Sequence, residues 1–411
     1  MNLRNAAEYI TEKAILAVLP DEAVKRALEG REFQGRVVLV AFGKAAWQMA
    51  KAAHDLMGSR IDRGIIITKY GHVMGPVGDF ACFEAGHPVP DENSFRATER
   101  AIELVRPLGV EDTVILLLSG GGSALFEKPL ISGEELKDIT NQLLKSGASI
   151  TEMNTIRKRL SQVKGGSFAQ ICSPAKVFSI VLSDIIGDPL DMIASGPAYP
   201  DSTTCAEAFA IAEKYGLTLS QEAKDALGRE KPKELGNVET VITGSVRELV
   251  AAAEAACREL GYQTTILTDT LDCEARAAGE WLARIAEEHR DTGKKLAFLA
   301  GGETIVHVTG TGLGGRNQEI ALAASVGIRG MNAAVFSVGS DGTDGPTDAA
   351  GGFVNGGSAN ALEAAGLDPE EILQNNDAYH ALKAIGGLII TGPTGTNVND
   401  FSCLLINNED E

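Results

Sequence analysis

The sequence predicts an α/β protein of two domains, each a largely parallel sheet flanked by helices. Three observations predict it. The apolar runs "VVLVAF", "TVILLL" and "VFSIVL" are continuous rather than alternating, the pattern of strands covered on both faces. Helical stretches separate them, as right-handed crossovers between parallel strands require. The 46 glycines among 411 residues cluster just after the strands, which marks loops built from backbone rather than disorder.

In order, "MNLRNAAEYITEKAILAVLP" reads as an amphipathic helix with no secretory character. "RVVLVAFGKAAWQMAKAAHDLM" is strand, glycine turn and helix, "GIIITKYG" a strand, and "ATERAIELVRPL" a helix. "DTVILLLSGGGSALF" is a buried strand running into a glycine loop, and "VFSIVLSDIIGD" a strand with a polar tip. Residues 200–238 turn helical and then polar, so the domains are expected at 1–237 and 238–411. "VETVITGSVRELVAAAEAACRELGYQTTILTD" restarts the strand–turn–helix habit. "KLAFLAGGETIVHVTG" reads as two strands around Gly-Gly, "GGRNQEIALAASVGI" as a helix, "AAVFSVGSDG" as a strand, and "FSCLLI" as a strand that closes a sheet.

Bulk properties exclude several classes. Hydrophobic residues make up 44% and charged residues 23% of the chain, ordinary for a globular protein. The net charge of −19 comes with no basic block, which argues against nucleic acid or an anionic membrane as partner. No apolar run is long enough to span a bilayer. The six cysteines lack zinc-like spacing and read as thiols in a reducing, cytoplasmic setting.

Several strand tips carry chemistry. "LLLSGGGSALF" sets Ser119, Gly120, Gly121, Gly122 and Ser123 where backbone N–H groups can cradle phosphate oxygens; the plainer alternative, a turn needing positive φ, would be met by one glycine. "VAFGKAAWQ" puts Lys44 at a helix start, against the helix dipole. "GTGLGGRNQE" satisfies G-x-G-x-x-G through Gly310, Gly312 and Gly315, yet Arg316 stands at the helix start and the next strand lacks the acid a dinucleotide site wants. This loop, with Gly314, Gly315 and Asn317, is therefore expected to clamp an anion beside one Arg fork. Asp184, Asp188, Glu303 and Asp341 stand on strand tips, where carboxylates can hold Mg²⁺ or cap a turn. His87, between glycine and proline, is either a substrate contact or a turn residue. In "NTIRKRLSQVKGG" most charges are expected to face solvent, with Lys164, before Gly165, the one expected to meet substrate. No nucleophile elbow, Walker A or protein-kinase signature is present.

Glycine loops, two dipole-opposing cations and scattered acids are what phosphoryl transfer asks for. Taken together, "LLSGGGSALF", "NTIRKRLSQVKGG", "SDIIGDPLDMIASGP", "GGETIVHVTGTGLGGRNQE", "SDGTDGPTDAAG" and "TGPTGTNVND" resemble the glycerate 2-kinase family, over about Arg36 to Asp400. The resemblance implies a Rossmann-like N-terminal domain and a MOFRL-type C-terminal domain with the active site in the cleft between them. It implies ATP and D-glycerate as substrates, 2-phosphoglycerate as product, Mg²⁺ as cofactor, and Lys44 and Arg316 as the important cations. On that basis Asp184 is expected to accept the hydroxyl proton, Asp188 or Asp341 to carry Mg²⁺, and His87, Lys164 and Glu303 to line the substrate. A monomer or homodimer is expected. Members also bear the label hydroxypyruvate reductase, so an NAD(P)-dependent reductase is the alternative.

Overall fold

The structure, a computed structural model, describes residues 1–183, 185–187 and 189–407. Asp184 and Asp188 therefore lie outside the described residues. The chain forms two compact units: one spans Pro20 to Thr243 apart from residues 185–187, which group with the other, built from Met1–Leu19 and from Gly244 onward.

The first unit is organised on six strands, β1 (Val37–Phe42), β2 (Arg63–Lys69), β3 (Ala81–Ala85), β4 (Thr113–Leu118), β5 (Lys176–Leu182) and β6 (Val238–Gly244). They lie in the order β3-β2-β1-β4-β5-β6, and the pairs β3–β2, β2–β1, β1–β4 and β4–β5 are parallel. Order reverses between β1 and β4, and such a switch point leaves a crevice at the strands' carboxyl ends where α/β proteins bind ligands. Strands β1 and β4 are buried at every residue, which is why both read as unbroken apolar runs. Beneath the loop that follows β4, Phe42 stacks on Phe126 at 4.1 Å and Phe126 meets Phe168 edge-on at 5.0 Å. These rings give the glycine loop a rigid floor.

The second unit carries β7 (Gln263–Leu271), β8 (Lys295–Gly302), β9 (Ala333–Gly339), β10 (Gly351–Asn355), β11 (Leu388–Ile389) and β12 (Asp400–Asn407), in the order β11-β10-β9-β12-β8-β7. This sheet is mixed, not largely parallel. Only β7–β8 pair in parallel among the described neighbours; β12 runs antiparallel between β8 and β9, and β10 is antiparallel to β9 and β11. Continuous apolar runs misled the direction because they report two covered faces, not strand polarity. Along β12, Phe401, Cys403 and Leu405 join one core with the helix Val246–Glu259, while Leu404 and Ile406 join another with the helices Ala275–Glu288 and Arg316–Gly327.

A cut at residue 237 divides the chain differently from the structure. The helix Leu3–Ala17 buries Ala6, Ala7, Ile10 and Ala14 in the core of the second unit, and β6 pairs in the first sheet. The segment "TIVHV", read as a strand, forms one isolated bridge, Glu274 to Ile305. No described helix is long and apolar enough to cross a membrane.

Candidate active site

In the first unit the chemistry gathers where the strand order reverses. Two loops, after β1 and after β4, touch closely. A Cβ on Gly43 would stand 2.2 Å from Ser119 Oγ, and Gly43 has φ +122, so only glycine lets the loops meet. Ser119 Oγ accepts the N–H of Ala45 at 3.0 Å, and Lys44 N–H donates to Gly120 O at 2.9 Å. Ser119, expected to contact phosphate, is buried and pins the two loops together.

The next amides are different. Among the described residues, no hydrogen bond uses the backbone N–H of Gly120, Gly121, Gly122 or Ser123. Their carbonyls and neighbours start the short helix Gly122–Leu125, whose first amides have no preceding turn to pair with. Gly121, at φ +84, passes so close to His87 that a Cβ there would lie 2.9 Å from the imidazole and 3.2 Å from Lys44 Cγ. Gly121, His87 and Lys44 are thus brought together. Among the described residues Lys44 Nζ has neither a hydrogen-bond nor an ion-pair partner. Burial, then the charges of Lys44 and Lys69, push the His87 pKa below its ordinary value, so the ring is neutral at pH 7.

Lys164, expected to meet substrate, is fully buried beneath this loop. Its ammonium donates to Ser123 O at 2.8 Å and forms an ion pair with Glu127. Burial lowers its pKa to about 8, against the pull of Glu127. It holds the loop from behind. Lys158 and Arg159, expected to face solvent, are buried and share Asp201, with Arg159 Nη1 at 2.9 Å and Lys158 Nζ at 3.4 Å. A buried charge pair is tolerated only when the partners are closely matched, and sequence spacing does not show Asp201 more than forty residues on. Ala194, Ser195 and Gly196 follow one another at φ 50, 60 and 63. This strained turn presses Ala194 against Gly122 and brings Ser195 Oγ to 3.1 Å from Ser123 Oγ. Nothing in a Ser-Gly dipeptide announces it.

The second unit assembles its polar groups at one end of its sheet. Glu303 follows β8, the loop Ser340–Asp344 follows β9, and Asp400 opens β12, whose antiparallel course brings that residue to the same end. Arg316 Nε and Nη2 bind the two oxygens of Asp400 at 2.5 and 3.2 Å, and Nη1 binds Glu303 at 2.7 Å. Burial opposes the Arg316 charge, but Asp400 and Glu303 outweigh it and raise its pKa. Burial raises Asp400 to about 6. Asp400 was missed in the sequence because its importance comes from strand order.

The first part of the G-x-G-x-x-G segment is spent within the protein, while among the described residues no hydrogen bond uses the backbone N–H of Gly314 or Gly315. Thr309 and Gly310 N–H groups donate to Asn376 Oδ1, Gly312 N–H to Asn375 O, and Leu313 N–H to Asp377 Oδ1. A Cβ on Gly310 or Gly312 would strike that same stretch at 2.3 or 2.5 Å. At the helix start the Asp344 carboxyl group takes the place of an external anion, although burial raises its pKa: Asn317 N–H reaches it at 3.1 Å and Gln318 N–H at 2.8 Å. The carboxyl group of Asp344 lies against Gly315, where a Cβ would be 2.3 Å away. Asn317 is buried and spends its amide on Asp344 and its oxygen on Ser337. Gly314 packs against Ala378. Asp341 Oδ1 accepts from Thr343 N–H and Oγ at 2.9 and 3.1 Å, while Oδ2 makes no hydrogen bond among the described residues. Arg316, Asp341, Thr343 and Glu319 line a cleft of 640 Å³ within this unit.

Comparison with known proteins fits both units. Residues 6–228 match the family described as a domain of unknown function, DUF4147, and residues 296–400 match the MOFRL family. The D-glycerate 2-kinase of Thermotoga maritima is 53% identical, covering 98% of this chain and 99% of that one. The chain belongs to the glycerate 2-kinase family. The glycerate 2-kinase of Pyrococcus horikoshii is 38% identical over 99% of this chain and 98% of its own. A crystal structure of the Thermotoga maritima glycerate kinase superposes with a TM-score of 0.94, covering 98% of this chain and 99% of that chain. In this family frame, Lys44 and Arg316 stand in sharply different surroundings, one unpaired and one held by two carboxylates.

Proposed function

We propose that the chain transfers the γ-phosphoryl group of ATP to the 2-hydroxyl of D-glycerate, giving 2-phosphoglycerate and ADP. The observation that carries this reading is the row of amides from Gly120 to Ser123 beside Lys44, all without partners among the described residues, at the switch point of the first sheet. Backbone donors in such a loop suit phosphate oxygens, and a free ammonium suits the charge on the transferring group. The glycerate hydroxyl oxygen attacks the γ-phosphorus, the bond to the β-phosphate oxygen breaks, and ADP leaves with the electron pair. The hydroxyl proton is assigned to Asp184, which lies outside the described residues. Arg316 is the second catalytic cation of this reading, oriented by Asp400 and Glu303.

Among the described residues, no group of three or more His, Cys, Asp or Glu is arranged to hold a metal unaided. Mg²⁺ does not need one, since it commonly binds one or two carboxylates together with substrate phosphates and waters. Asp341, with one oxygen free and facing the cleft, fits that mode. Bound there, Mg²⁺ would neutralise phosphate charge.

The reductase alternative is weakened, because the amides of residues 310–313 in the G-x-G-x-x-G segment are spent on Asn375–Asp377 rather than left for a dinucleotide. The test is purified protein with D-glycerate, ATP and Mg²⁺, with products resolved by phosphorus NMR. ADP and 2-phosphoglycerate are expected. The 3-phosphate would move the acceptor hydroxyl, and no phosphoester would overturn the reading.

A further inference from the structure

The helix Ile150–Arg159 carries two polar side chains that nothing accounts for. Lys158 and Arg159 are consumed by Asp191, Asp201, Thr203 and Glu230. Arg157 is not. Its guanidinium is half-buried, yet among the described residues it makes no hydrogen bond and no ion pair. Burial holds its pKa below the usual arginine value, and Glu127 only partly offsets that. One helical turn earlier, on the same face, Asn154 is only 7% exposed, and its carboxamide also has no hydrogen-bond partner among the described residues. The unpartnered polar atoms of both residues keep some solvent access, so a ligand can reach them.

Their surroundings belong to the glycine loop. The helix packs on the turn Ile193–Ser195, whose Ala194 lies against Gly122 and whose Ser195 meets Ser123. Glu127, the acid whose charge Arg157 feels, is the partner of Lys164, and Lys164 holds Ser123 O. Since Lys164 already compensates Glu127, the Arg157 charge is left for another anion.

The chemistry of the pair selects among anions. A guanidinium edge offers two parallel N–H groups that match a carboxylate. A carboxamide offers donors and an acceptor, and the acceptor is of no use to a fully ionised phosphate but can take the O–H of a neighbouring hydroxyl. The loop amides already supply donors for phosphate. We propose that Arg157 and Asn154 form the acceptor-substrate subsite, Arg157 clamping the carboxylate of a small hydroxycarboxylic acid and Asn154 binding one of its hydroxyls.

This rests on the kinase reading, so the experiment separates the two. Thermal unfolding of wild-type protein is followed with D-glycerate, lactate or tartronate, and separately with ADP; steady-state kinetics follow for Arg157→Gln, Arg157→Lys and Asn154→Ala. Expected are stabilisation of the wild type by the hydroxy acids, its loss in Arg157→Gln with the ADP shift retained, and KM for D-glycerate raised about 30–100-fold with KM for ATP unchanged. Arg157→Lys should recover part of the loss, and Asn154→Ala should raise KM less. The retained ADP shift shows that each variant is folded. A rise in KM for ATP alone, an unchanged KM for both substrates, or no stabilisation of wild type by any hydroxy acid would overturn the subsite. Wild-type protein that binds the hydroxy acids through Arg157 but forms no phosphoester would overturn the kinase reading and leave the subsite standing.

Discussion

Two glycine-rich segments of this molecule look alike on paper and are employed in opposite ways. "SGGGS" after β4 leaves the N–H groups of Gly120, Gly121, Gly122 and Ser123 unpartnered beside an unpaired lysine. "GTGLGG" before the helix Arg316–Gly327 donates the amides of residues 310–313 to Asn375, Asn376 and Asp377, and the helix start is filled by Asp344. Glycine lets a backbone come close to something; whether that something is a ligand or the protein itself depends on where the acceptors lie. The cations repeat the contrast. Among the described residues Lys44 pairs with no carboxylate, whereas Arg316 is held by two.

Five substitutions would break or sharpen this contrast. Lys44→Met should have the largest effect, lowering kcat by about 10³ because an unscreened charge aimed at the transferring group is removed. Thermal unfolding should not move, since no partner is orphaned; a destabilised but active variant would mean that Lys44 is structural. Asp341→Asn should lower turnover by about 10² and shift the Mg²⁺ titration to higher concentration, with the fold intact. Full activity in that variant would remove Asp341 from the site.

Arg316→Met tests the opposite kind of cation. Besides losing activity, it should lose about 3 kcal/mol of stability in denaturant unfolding, because Asp400 is left buried without its partner. Adding Asp400→Asn should restore stability but not turnover. If the single variant unfolds like wild type, the pair is not what holds Arg316 in place.

The smallest effect belongs to His87. Its pKa is lowered on folding, so below the ordinary value of 6.5 the unfolded chain binds more protons than the folded one. Stability should therefore fall as pH drops through about 6.5, and the fall should be shallower in His87→Asn. Parallel curves for the two proteins would show that the ring titrates normally.

Much of the fold was legible because burial writes itself into the sequence. The runs that became β1, β4, β5, β8, β9 and β12 were visible as continuous apolar segments. Direction was not, and β12 shows why: its residues alternate between two cores, which any doubly covered strand does whichever way it points. The candidate site proposed here was legible where a local rule was broken, as with Lys44 and Arg316 at helix starts. It was not legible where function depends on residues far apart in sequence: Asp400 beside Arg316, Ser195 beside Ser123, and Glu127 beneath Lys164. Lys164 broke no visible rule, and its burial could only be seen in three dimensions.

The position of β12 has a consequence for how the second unit comes together. The lane between β8 and β9 is filled by the last in chain order of the twelve strands among the described residues, beginning at Asp400. While the chain is being made, β8 and β9 exist before any partner for their facing edges. Each then presents a row of unsatisfied N–H and C=O groups, flanked by apolar side chains, of the kind that recruits strands from other molecules. The helices Val246–Glu259 and Ala275–Glu288 can cover faces at that stage, but not edges. The sheet becomes whole only when residues 400–407 slot into its middle, so shortening the chain by that one strand should cost the molecule its solubility as well as its Asp400.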